Sequence, residues 1–329
     1  MRVVFFHRHR LPGNFSIENL FKQVRGALPE NITSVVKVLH FTSNGFFKRL
    51  YISIEAMLCQ EEINHITGDV HFIALLLRKS NTVLTIHDLG FMKHPNPIAR
   101  FIFLWFWIKL PIKRCGAVTV VSNATKDVLF DYISKKDRAK VSVIYNPIKT
   151  NFVPVLKEFN REEPVILQIG TKHNKNLSRL IEALTGIKCR LEIVGELTEE
   201  MVRELNRAGI LYSNSKNLTD EELMDKYIKS DVVSFVSIFE GFGLPIVEAN
   251  AIGRAVVTSN VSSMPEIGGN AVHLVDPFDV MSIRTGFLKI IEDEGYRNHL
   301  ILNGFENRKR FDVSTIASQY VALYRSLKN

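Results

Sequence analysis

Short runs of apolar residues alternate along the chain with longer segments that have the periodicity of amphipathic helices. Continuous apolar runs of this length are typical of parallel strands buried on both faces, with helices covering the sheet. A helix is predicted from Ser16, as its N-cap, to Ala27, and another begins at Asn176 or Ser178. This alternation predicts an α/β protein built from two doubly wound parallel sheets. The predicted strands are 3–6, 35–39, 83–86, 118–121, 141–144, 165–169, 191–194, 232–236 and 255–258.

Length and composition favour two domains. The chain has 329 residues and 46% hydrophobic residues, enough for two cores of moderate size. A stretch that contains prolines and charges, 147–164, separates the two sets of predicted strands. Open α/β sheets bind ligands beyond the carboxyl ends of their strands, so we expect substrates in a cleft between two Rossmann-like domains.

Charge is unevenly distributed between the two halves. Residues 1–150 contain 21 Lys or Arg and 10 Asp or Glu, whereas the remainder contains 21 and 24. A basic half attracts nucleic acid, anionic lipid or phosphorylated substrates, and charge alone does not choose among them. No recognisable nucleic-acid-binding module accompanies the charge, so we expect no nucleic-acid partner.

The remaining global features indicate a cytoplasmic protein. Cys59, Cys115 and Cys189 lack the spacing of metal ligands or of a disulfide framework, which suits a reducing compartment. The apolar run at the N-terminus is too short for a signal peptide and is predicted as the first strand. No run approaches the ~20 apolar residues that a membrane-spanning helix needs.

The most informative segment is 240–248, Glu-Gly-Phe-Gly-Leu-Pro-Ile-Val-Glu. Two carboxylates lie eight positions apart across a glycine turn and a helix start, where Pro245 suits the first helical turn. The beginning of a helix favours anionic groups such as phosphate, and Glu248 lies where it can accept hydrogen bonds from vicinal hydroxyls. The alternative is an ordinary helix with a solvated glutamate in its first turn.

Several other chemistries lack their motifs. The chain has no G-x-G-x-x-G after the first strand, no G-x-x-x-x-G-K-[ST], no H-E-x-x-H and no G-x-S-x-G. No Asp-x-Asp pair is present, so a common carboxylate site for a divalent ion is missing, and we expect neither a metal nor a cofactor. Lys175, beside Gly170 and at a predicted helix start, is the best candidate to bind an anionic group such as phosphate. A solvated lysine in a first helical turn is its alternative.

The segment 230–277, which contains Glu240 and Glu248, resembles the nucleotide-sugar half of the family 4 retaining glycosyltransferases, whose signature is E-x7-E. Further similarities follow in the expected order over nearly the whole chain, most clearly from about 140 to 280. They are the strand and glycine loop Gln168-Ile-Gly170-Thr171, the helix start Asn174-Lys175-Asn176-Leu177, the segment Thr219–Leu223 and the crossing Val143-Ile-Tyr-Asn146-Pro147. Thr171 and Asn174 occupy places where relatives often carry arginine.

The resemblance implies a GT-B fold and a hexosyltransferase-like enzyme that uses a nucleotide-diphosphate sugar and no metal. Its expected domains are 1–150 on the acceptor side, 151–312 for the nucleotide sugar, and a last helix in 313–329 that returns to the first domain. Glu248 would hold the ribose, and Lys175 would bind the diphosphate. The other expected donor-binding residues are Gly170 and Thr171 in the loop, and Gly241, Phe242, Gly243 and Leu244, whose amides would help Glu240 to position the donor sugar.

In the first half, the resemblance aligns His87 with a histidine that contacts the donor sugar near the reacting carbon, while a satisfied structural histidine is the alternative. His65, Asp69 and His71 follow an apolar run and are candidates for donor or acceptor contact, unless Asp69 only stabilises a turn. Gly13 lies in the first loop, 7–15, where many relatives have two glycines. Gly13, His65 and Asp69 are therefore the acceptor-side candidates.

Retention of anomeric configuration requires either a carboxylate nucleophile on the far face of the sugar or attack on the front face. Only Asp69 and Asp88 are available as nucleophiles in these motifs, and the resemblance implies front-face attack. The expected acceptor is a saccharide or a lipid-linked saccharide in cell-surface polysaccharide synthesis. A degenerate GT-B scaffold that binds a sugar or nucleotide without turnover is the alternative.

The segment 100–114 is apolar on every helical face and flanked by cations. Such a segment lies either in a domain core or in the headgroup region of a membrane, with Trp105 and Trp107 at the interface. The second possibility predicts a peripheral protein on the anionic inner face of the plasma membrane.

Overall fold

The structure, a computed structural model, describes residues 1–9 and 16–328, with Ser16 described by its backbone alone. The chain divides into two compact units. Unit 1 comprises Met1–Pro147 and Val313–Asn329, and unit 2 comprises Ile148–Asp312. The C-terminal helix thus belongs to the same unit as the first strand.

Unit 1 is built on a six-stranded sheet in which every pair of neighbouring strands is parallel. The strand order is β2-β1-β3-β4-β5-β6. The chain reverses its direction of winding between β1 and β3, and this switch point is where open α/β sheets bind ligands. The strands are β1 (Arg2–His7), β2 (Thr33–Val38), β3 (Ile63–Ile66), β4 (Thr82–Ile86), β5 (Ala117–Val120) and β6 (Val141–Val143).

Unit 2 repeats this architecture with a second six-stranded parallel sheet. Its strand order is β12-β11-β10-β7-β8-β9, so its switch point lies between β7 and β10. The strands are β7 (Val165–Ile169), β8 (Arg190–Val194), β9 (Leu211–Ser215), β10 (Val232–Phe235), β11 (Ala255–Ser259) and β12 (His273–Val275).

The apolar runs form strands because both faces of each sheet are covered. Along β1, Val4 and Phe6 enter one hydrophobic cluster, whereas Val3 and Phe5 enter another. Successive side chains of a strand point to opposite faces, so a run without polar alternation fits a sheet buried on both sides. The prediction of doubly wound parallel sheets is confirmed.

The α-helices connect these strands. A π-helical turn, Leu104–Lys109, joins the third helix to the fourth. The helices are α1 (Ser16–Gly26), α2 (Phe46–Leu58), α3 (Pro97–Phe103), α4 (Leu110–Lys113), α5 (Asn123–Phe130), α6 (Lys135–Arg138), α7 (Leu177–Leu184), α8 (Glu199–Ala208), α9 (Asp220–Lys229), α10 (Leu244–Ile252), α11 (Met264–Gly268), α12 (Val280–Glu292), α13 (Glu294–Asn307) and α14 (Val313–Ser326).

Helix α10 is enclosed by protein over most of its length, with every residue from Ile246 to Ile252 buried. It begins after Gly243, which has φ +120°, and ends at Gly253, which has φ +88°. A Cβ atom at Gly253 would lie 2.7 Å from the Phe305 ring, so both the left-handed backbone and the packing require glycine there. These ends fix the position of α10 relative to β10.

Candidate functional site

The switch point of the unit 2 sheet brings together the two loops that carry the predicted donor residues. Lys175 follows β7, and Glu240 follows the neighbouring strand β10. The Lys175 ammonium lies 2.6 Å from Oε1 of Glu240 and 4.7 Å from the centroid of the Phe235 ring. Both charged side chains are mostly buried, with 19% and 16% of their surfaces exposed. The loops are therefore joined by an ion pair in which screening by water is reduced.

Asn174, for which no role was predicted, is a second partner of the same carboxylate. Its Nδ2 donates hydrogen bonds to Oε1 of Glu240 and to the Phe239 carbonyl, both at 3.1 Å. The backbone carbonyl of Asn174 accepts a hydrogen bond from the Ile238 amide. Asn174 thus fixes the position of Glu240. Its place directly before Lys175 was the feature of the sequence that could have indicated this role.

The loop that carries Lys175 is shaped by a glycine and a buried amide. Gly170 has φ +87°, and a Cβ atom there would lie 3.0 Å from the Lys175 side chain. Gln168 is 1% exposed, and its Nε2 donates to the carbonyls of Gly170 and Lys175, each at 3.2 Å. The glycine lets the lysine stem pack against the backbone, and Gln168 ties the two ends of the loop together.

Thr171 supports the neighbouring loop. Its hydroxyl donates to the Glu196 carbonyl at 2.6 Å, and its side chain packs so closely over Gly195 that a Cβ atom there would lie 2.9 Å away. The hydroxyl thus already has an acceptor within the protein. In this arrangement Thr171 shapes the loop after β7 and adds no positive charge to it, whereas Lys175 provides the ammonium that pairs with Glu240.

The backbone of Glu240 is held by two serines. The hydroxyls of Ser262 and Ser263 donate to the Glu240 carbonyl at 2.6 Å and 3.1 Å. Ser263 also donates to the Phe242 carbonyl at 2.5 Å. These bonds hold the turn from Glu240 to Phe242 against the loop that precedes α11.

The glycine turn leads directly into the buried helix α10. Gly241 is half-buried, whereas Phe242 is 5% exposed and its ring meets that of Phe311 edge-on at 5.6 Å. Leu244 begins α10 and Pro245 follows it in the first turn. The first amides of a helix lack partners within the helix and lie at its positive end, so this turn suits an anionic group.

Glu248 lies inside α10 with 7% of its surface exposed. The buried Tyr227 hydroxyl, on α9, donates to its Oε2 at 2.7 Å. A carboxylate in so apolar a setting needs such a donor, because an unpaired buried charge is very costly. Tyr227 therefore orients Glu248, a contact that could not be predicted from the sequence.

The electrostatic environment of Glu248 balances burial against nearby donors. Burial raises the pKa of Glu248, while the hydrogen bond from Tyr227 and the positive charge of Lys149 lower it in part. Lys149 is itself paired with Asp220 at 2.6 Å. Burial also raises the pKa of Tyr227 well above its usual value, so this hydroxyl remains a proton donor throughout the physiological range.

His87 follows β4 in unit 1. Its Nε2 lies 2.7 Å from the Thr67 carbonyl, which only accepts, so Nε2 carries the proton. Burial lowers the pKa of His87, and the bond to Thr67 raises it in part. The ring is thus neutral at pH 7, with Nδ1 as its unprotonated nitrogen.

His65 has both ring nitrogens engaged within the core. Nδ1 lies 2.7 Å from the Tyr324 hydroxyl of α14, and Nε2 lies 2.7 Å from the Thr85 hydroxyl. The side chain is fully buried, and burial lowers its pKa well below the usual value. In this arrangement His65 stabilises unit 1, and both of its ring nitrogens contact the protein rather than an acceptor saccharide.

Asp69 follows β3 at the switch point of unit 1, with a left-handed backbone at φ 52°. Its carboxylate pairs with Arg8, and its carbonyl accepts a hydrogen bond from the Trp107 indole at 2.7 Å. His71 is 3% exposed, with Nδ1 2.7 Å from the Trp107 carbonyl. Gly13 lies outside the described residues.

The segment 100–114 divides its two tryptophans between core and surface. Trp107 is 7% exposed and belongs to a hydrophobic core cluster of unit 1, so for this residue the core alternative is correct and the membrane-interface alternative is wrong. Trp105 is half-buried, with the Lys109 ammonium 5.0 Å from its ring centroid. Within residues 1–9 and 16–328, no helix is both long and apolar enough to span a bilayer.

Two family profiles match successive parts of the chain. The family described as Glycosyl transferases group 1 matches residues 154–307, and Glycosyltransferase Family 4 matches residues 24–152. The segment matched by the Glycosyl transferases group 1 profile contains the loops of Lys175 and Glu240 together with Glu248. Together they cover most of both units.

Sequence relatives and solved structures agree with these profiles. O-antigen chain mannosyltransferase B of Escherichia coli is 27% identical over 277 residues, 76% of this chain and 71% of that protein. O-antigen chain mannosyltransferase RfbU of Salmonella typhimurium is 28% identical over 258 residues, 73% of this chain and 70% of that protein. The crystal structure of Anabaena HepE with UDP and glucose superposes with a TM-score of 0.81 at 17% identity, covering 99% of this chain and 100% of HepE. The chain therefore belongs to the family 4 glycosyltransferases, which have the GT-B fold.

Proposed function

We propose that this protein is a retaining, metal-independent glycosyltransferase. It moves a sugar from a nucleotide-diphosphate sugar to a hydroxyl of a saccharide or lipid-linked saccharide during cell-surface polysaccharide synthesis. The observation that carries the proposal is the ion pair of Lys175 and Glu240 at the switch point of unit 2, beside the start of α10. Relatives named as O-antigen mannosyltransferases support the polysaccharide setting.

Among possible donor sugars, we propose mannose. Both O-antigen relatives that cover most of the chain are mannosyltransferases by name, and a mycobacterial phosphatidyl-myo-inositol mannosyltransferase is also among the matches. Structural neighbours with bound UDP or UDP-glucose share only 17% or 18% identity, so they support the fold more than the donor.

The nucleotide half of the donor is assigned to Glu248 and Lys175. The carboxylate of Glu248, oriented by Tyr227, accepts hydrogen bonds from the ribose hydroxyls. Lys175 and the first amides of α10 bind the diphosphate, because a cation and a helix N-terminus both favour phosphate. Lys175 then bridges the phosphate and Glu240, and its stem stays packed on Gly170.

The sugar half is assigned to Glu240 and the amides of Gly241, Phe242, Gly243 and Leu244. Glu240 accepts hydrogen bonds from sugar hydroxyls while Asn174 and Lys175 fix its carboxylate. The family resemblance adds His87, whose unprotonated Nδ1 accepts a bond from a sugar hydroxyl. Such positioning contributes several kcal/mol to catalysis when the reacting atoms are held in attack geometry.

Retention is assigned to front-face attack. The bond between the anomeric carbon and the leaving phosphate oxygen breaks while the acceptor oxygen bonds to that carbon on the same face, and the acceptor proton passes to the departing phosphate. A far-face nucleophile is less well supported. The Asp69 carboxylate is paired with Arg8, and that of Asp88 accepts a bond from the Gly90 amide at 2.7 Å.

The reaction is placed on the cytoplasmic side of the plasma membrane. The donor is a nucleotide sugar from the cytoplasm, and the enzyme binds the lipid-linked acceptor at the inner face of the plasma membrane. Cys59, Cys115 and Cys189 are free thiols, which is compatible with a reducing compartment.

Ligand binding and product analysis test the proposal together. The melting temperature is measured with UDP, GDP, GDP-mannose and UDP-glucose, since a ligand at 100 times its Kd adds about 2.7 kcal/mol of stability. NMR of the product then reports the anomeric configuration. Inversion would refute the retaining mechanism, and stabilisation without any turnover on saccharide and lipid-linked acceptors would favour a binding scaffold.

A further inference from the structure

Helix α2 of unit 1 presents its apolar side chains to solvent. Phe46, Phe47 and Leu58 are 72%, 82% and 76% exposed. The complete set, called the α2 stripe below, is Phe46, Phe47, Leu50, Tyr51, Ile54, Met57 and Leu58.

The α2 stripe is continuous along the helix. At 100° per residue, its seven members fall within an arc of about 140°. Ile52, Ser53 and Ala56 form the buried side of the helix. A surface helix normally turns its apolar stripe inward, and large exposed apolar patches on single chains generally mark interaction sites.

A second set of exposed apolar residues lies in the neighbouring segment. The guanidinium of Arg49, on α2, lies 4.9 Å from the Trp107 ring centroid, which connects α2 to the π-helical turn after α3. This segment exposes Ile98, Phe101, Ile102 and Phe106, by 69%, 61%, 40% and 45%. Ile98 is three and four positions from Phe101 and Ile102, and Ile102 is four positions from Phe106, so the four residues form a stripe of their own.

The charges around both stripes are mainly positive. Glu55 is the one acidic residue of α2, and Lys37 neutralises it at 2.8 Å. Lys48 on α2 is exposed. The second segment contributes Arg100, Lys109, Lys113 and Arg114 with no acidic residue between them. Apolar and aromatic side chains with flanking cations match the acyl boundary and the anionic headgroups of a membrane.

We propose that the α2 stripe is the principal surface by which unit 1 binds an anionic lipid bilayer, with the second stripe as an auxiliary contact. Helix α2 lies in the membrane plane, its apolar side chains enter the headgroup and acyl boundary, and nearby cations contact the anionic lipid. A second copy of the chain fits less well, because self-association would bring two basic surfaces together. Lipid binding of this kind goes beyond sugar transfer and does not depend on it.

Vesicle co-sedimentation tests the proposal on the full chain. The probes are phosphatidylcholine vesicles with and without phosphatidylglycerol, at 0.1 M and 1 M salt. The Debye length falls from about 10 Å to about 3 Å between these salt concentrations. We expect binding to the anionic vesicles that weakens in high salt and little binding to the neutral ones.

Two matched substitutions locate the surface. Leu58→Glu lies in the α2 stripe, and Leu302→Glu, at a residue 64% exposed on α13 in unit 2, is the control. We expect about tenfold weaker vesicle partitioning for Leu58→Glu, which corresponds to roughly half the burial energy of one large apolar side chain, and no change for Leu302→Glu. Nucleotide-induced stabilisation should persist in both variants, so a failure of lipid binding is distinguishable from a failure of the proposed function.

Three results would overturn the proposal. Equal failure of the wild type to bind either vesicle type would exclude the bilayer. Loss of binding in Phe101→Glu but not in Leu58→Glu or Phe47→Glu would assign the membrane contact to the second stripe instead. A lower oligomeric mass for Leu58→Glu in light scattering, without vesicle binding by the wild type, would make α2 a self-association surface.

Discussion

The Lys175 ammonium lies 2.6 Å from Oε1 of Glu240, so one ion pair joins the loops that follow two adjacent strands of unit 2. Asn174 donates to the same oxygen, which leaves the carboxylate little freedom to rotate. In the proposed enzyme, the group that orients the sugar is therefore held by the group that binds the leaving phosphate.

Replacement of Glu240 by alanine should lower kcat about 10²- to 10³-fold and leave nucleotide affinity nearly unchanged. The carboxylate orients the sugar, and orientation contributes several kcal/mol to the barrier. Single-turnover assays and calorimetry separate the two effects. Glu182→Ala, on an exposed position of α7, is the control. Full activity of Glu240→Ala would remove Glu240 from the site.

Replacement of Lys175 by methionine should lower turnover about 10²-fold or more. Methionine keeps much of the side-chain volume that packs on Gly170, but it deletes the charge that faces the developing phosphate anion. Lys188→Met, at a side chain 72% exposed, is the matched control for loss of a lysine from unit 2. Equal activities of the two variants would show that another group neutralises the leaving phosphate.

Activity should survive complete chelation of divalent metal ions. Lys175 and the first amides of α10 supply the positive charge that a metal would otherwise provide, so initial rates with and without excess EDTA should agree. An absolute requirement for Mg²⁺ or Mn²⁺ would contradict this leaving-group chemistry and would leave the family assignment intact.

Loss of the Tyr227 hydroxyl should weaken nucleotide binding with little change in kcat. Tyr227→Phe removes the donor to Glu248, and we expect an affinity loss of about three- to tenfold, smaller than that of Glu248→Ala at about 10- to 100-fold. Calorimetry with the preferred nucleotide measures both losses.

The pH dependence of binding separates this positioning role from a purely structural one. Burial raises the pKa of Glu248, so wild-type affinity should fall on acidification at a higher pH than for an exposed glutamate. The Tyr227 hydrogen bond lowers that pKa, and Tyr227→Phe should therefore shift the fall to still higher pH. An unchanged pH profile in Tyr227→Phe would contradict the assignment.

Unit 1 should lose stability as the pH falls below about 6.5, the usual pKa of histidine. Burial lowers the pKa of His65, so the unfolded state binds more protons between the two pKa values. The stabilisation is complete above the unfolded-state pKa and declines as the pH falls towards the folded-state pKa. The largest slope for one group is about 1.4 kcal/mol per pH unit.

Tryptophan fluorescence reports this unfolding selectively, because Trp105 and Trp107 are the only tryptophans of the chain and both lie in unit 1. Urea unfolding between pH 5 and pH 8 should show a smaller slope for His65→Asn than for the wild type. His40→Asn, at an exposed histidine of the same unit, is the control. Equal slopes for the wild type and His65→Asn would assign the effect to other groups.

The strands that could be predicted from sequence are those with predominantly apolar runs, whether they lie inside a sheet or, like β2 and β6, at its edge. β3 was not predicted because it contains Asn64 and His65, and β9 was not predicted because it contains Asn214 and two serines. Of these polar residues, His65 and Asn214 are satisfied by partners distant in sequence. Helix α2 was missed because its solvent side is apolar, which removes the pattern that marks a surface helix.

The same distinction applies to the site. The spacing of Glu240 and Glu248 could be read directly, since it follows from one turn and one helix. The contacts of Asn174 with Glu240 and of Tyr227 with Glu248 span 66 and 21 positions, and only the fold brings these residues together. His65 was predicted as an acceptor contact because its place near a strand end was visible, whereas its partner Tyr324 was not.

The bond between His65 and Tyr324 spans 259 positions, which has a consequence for how the chain is made. All of unit 2 leaves the ribosome before Ile316, Tyr320 and Tyr324 of α14 emerge to complete the core of unit 1. The N-terminal part must therefore wait with an open apolar face, and the unit that begins first during translation is the one that finishes folding last.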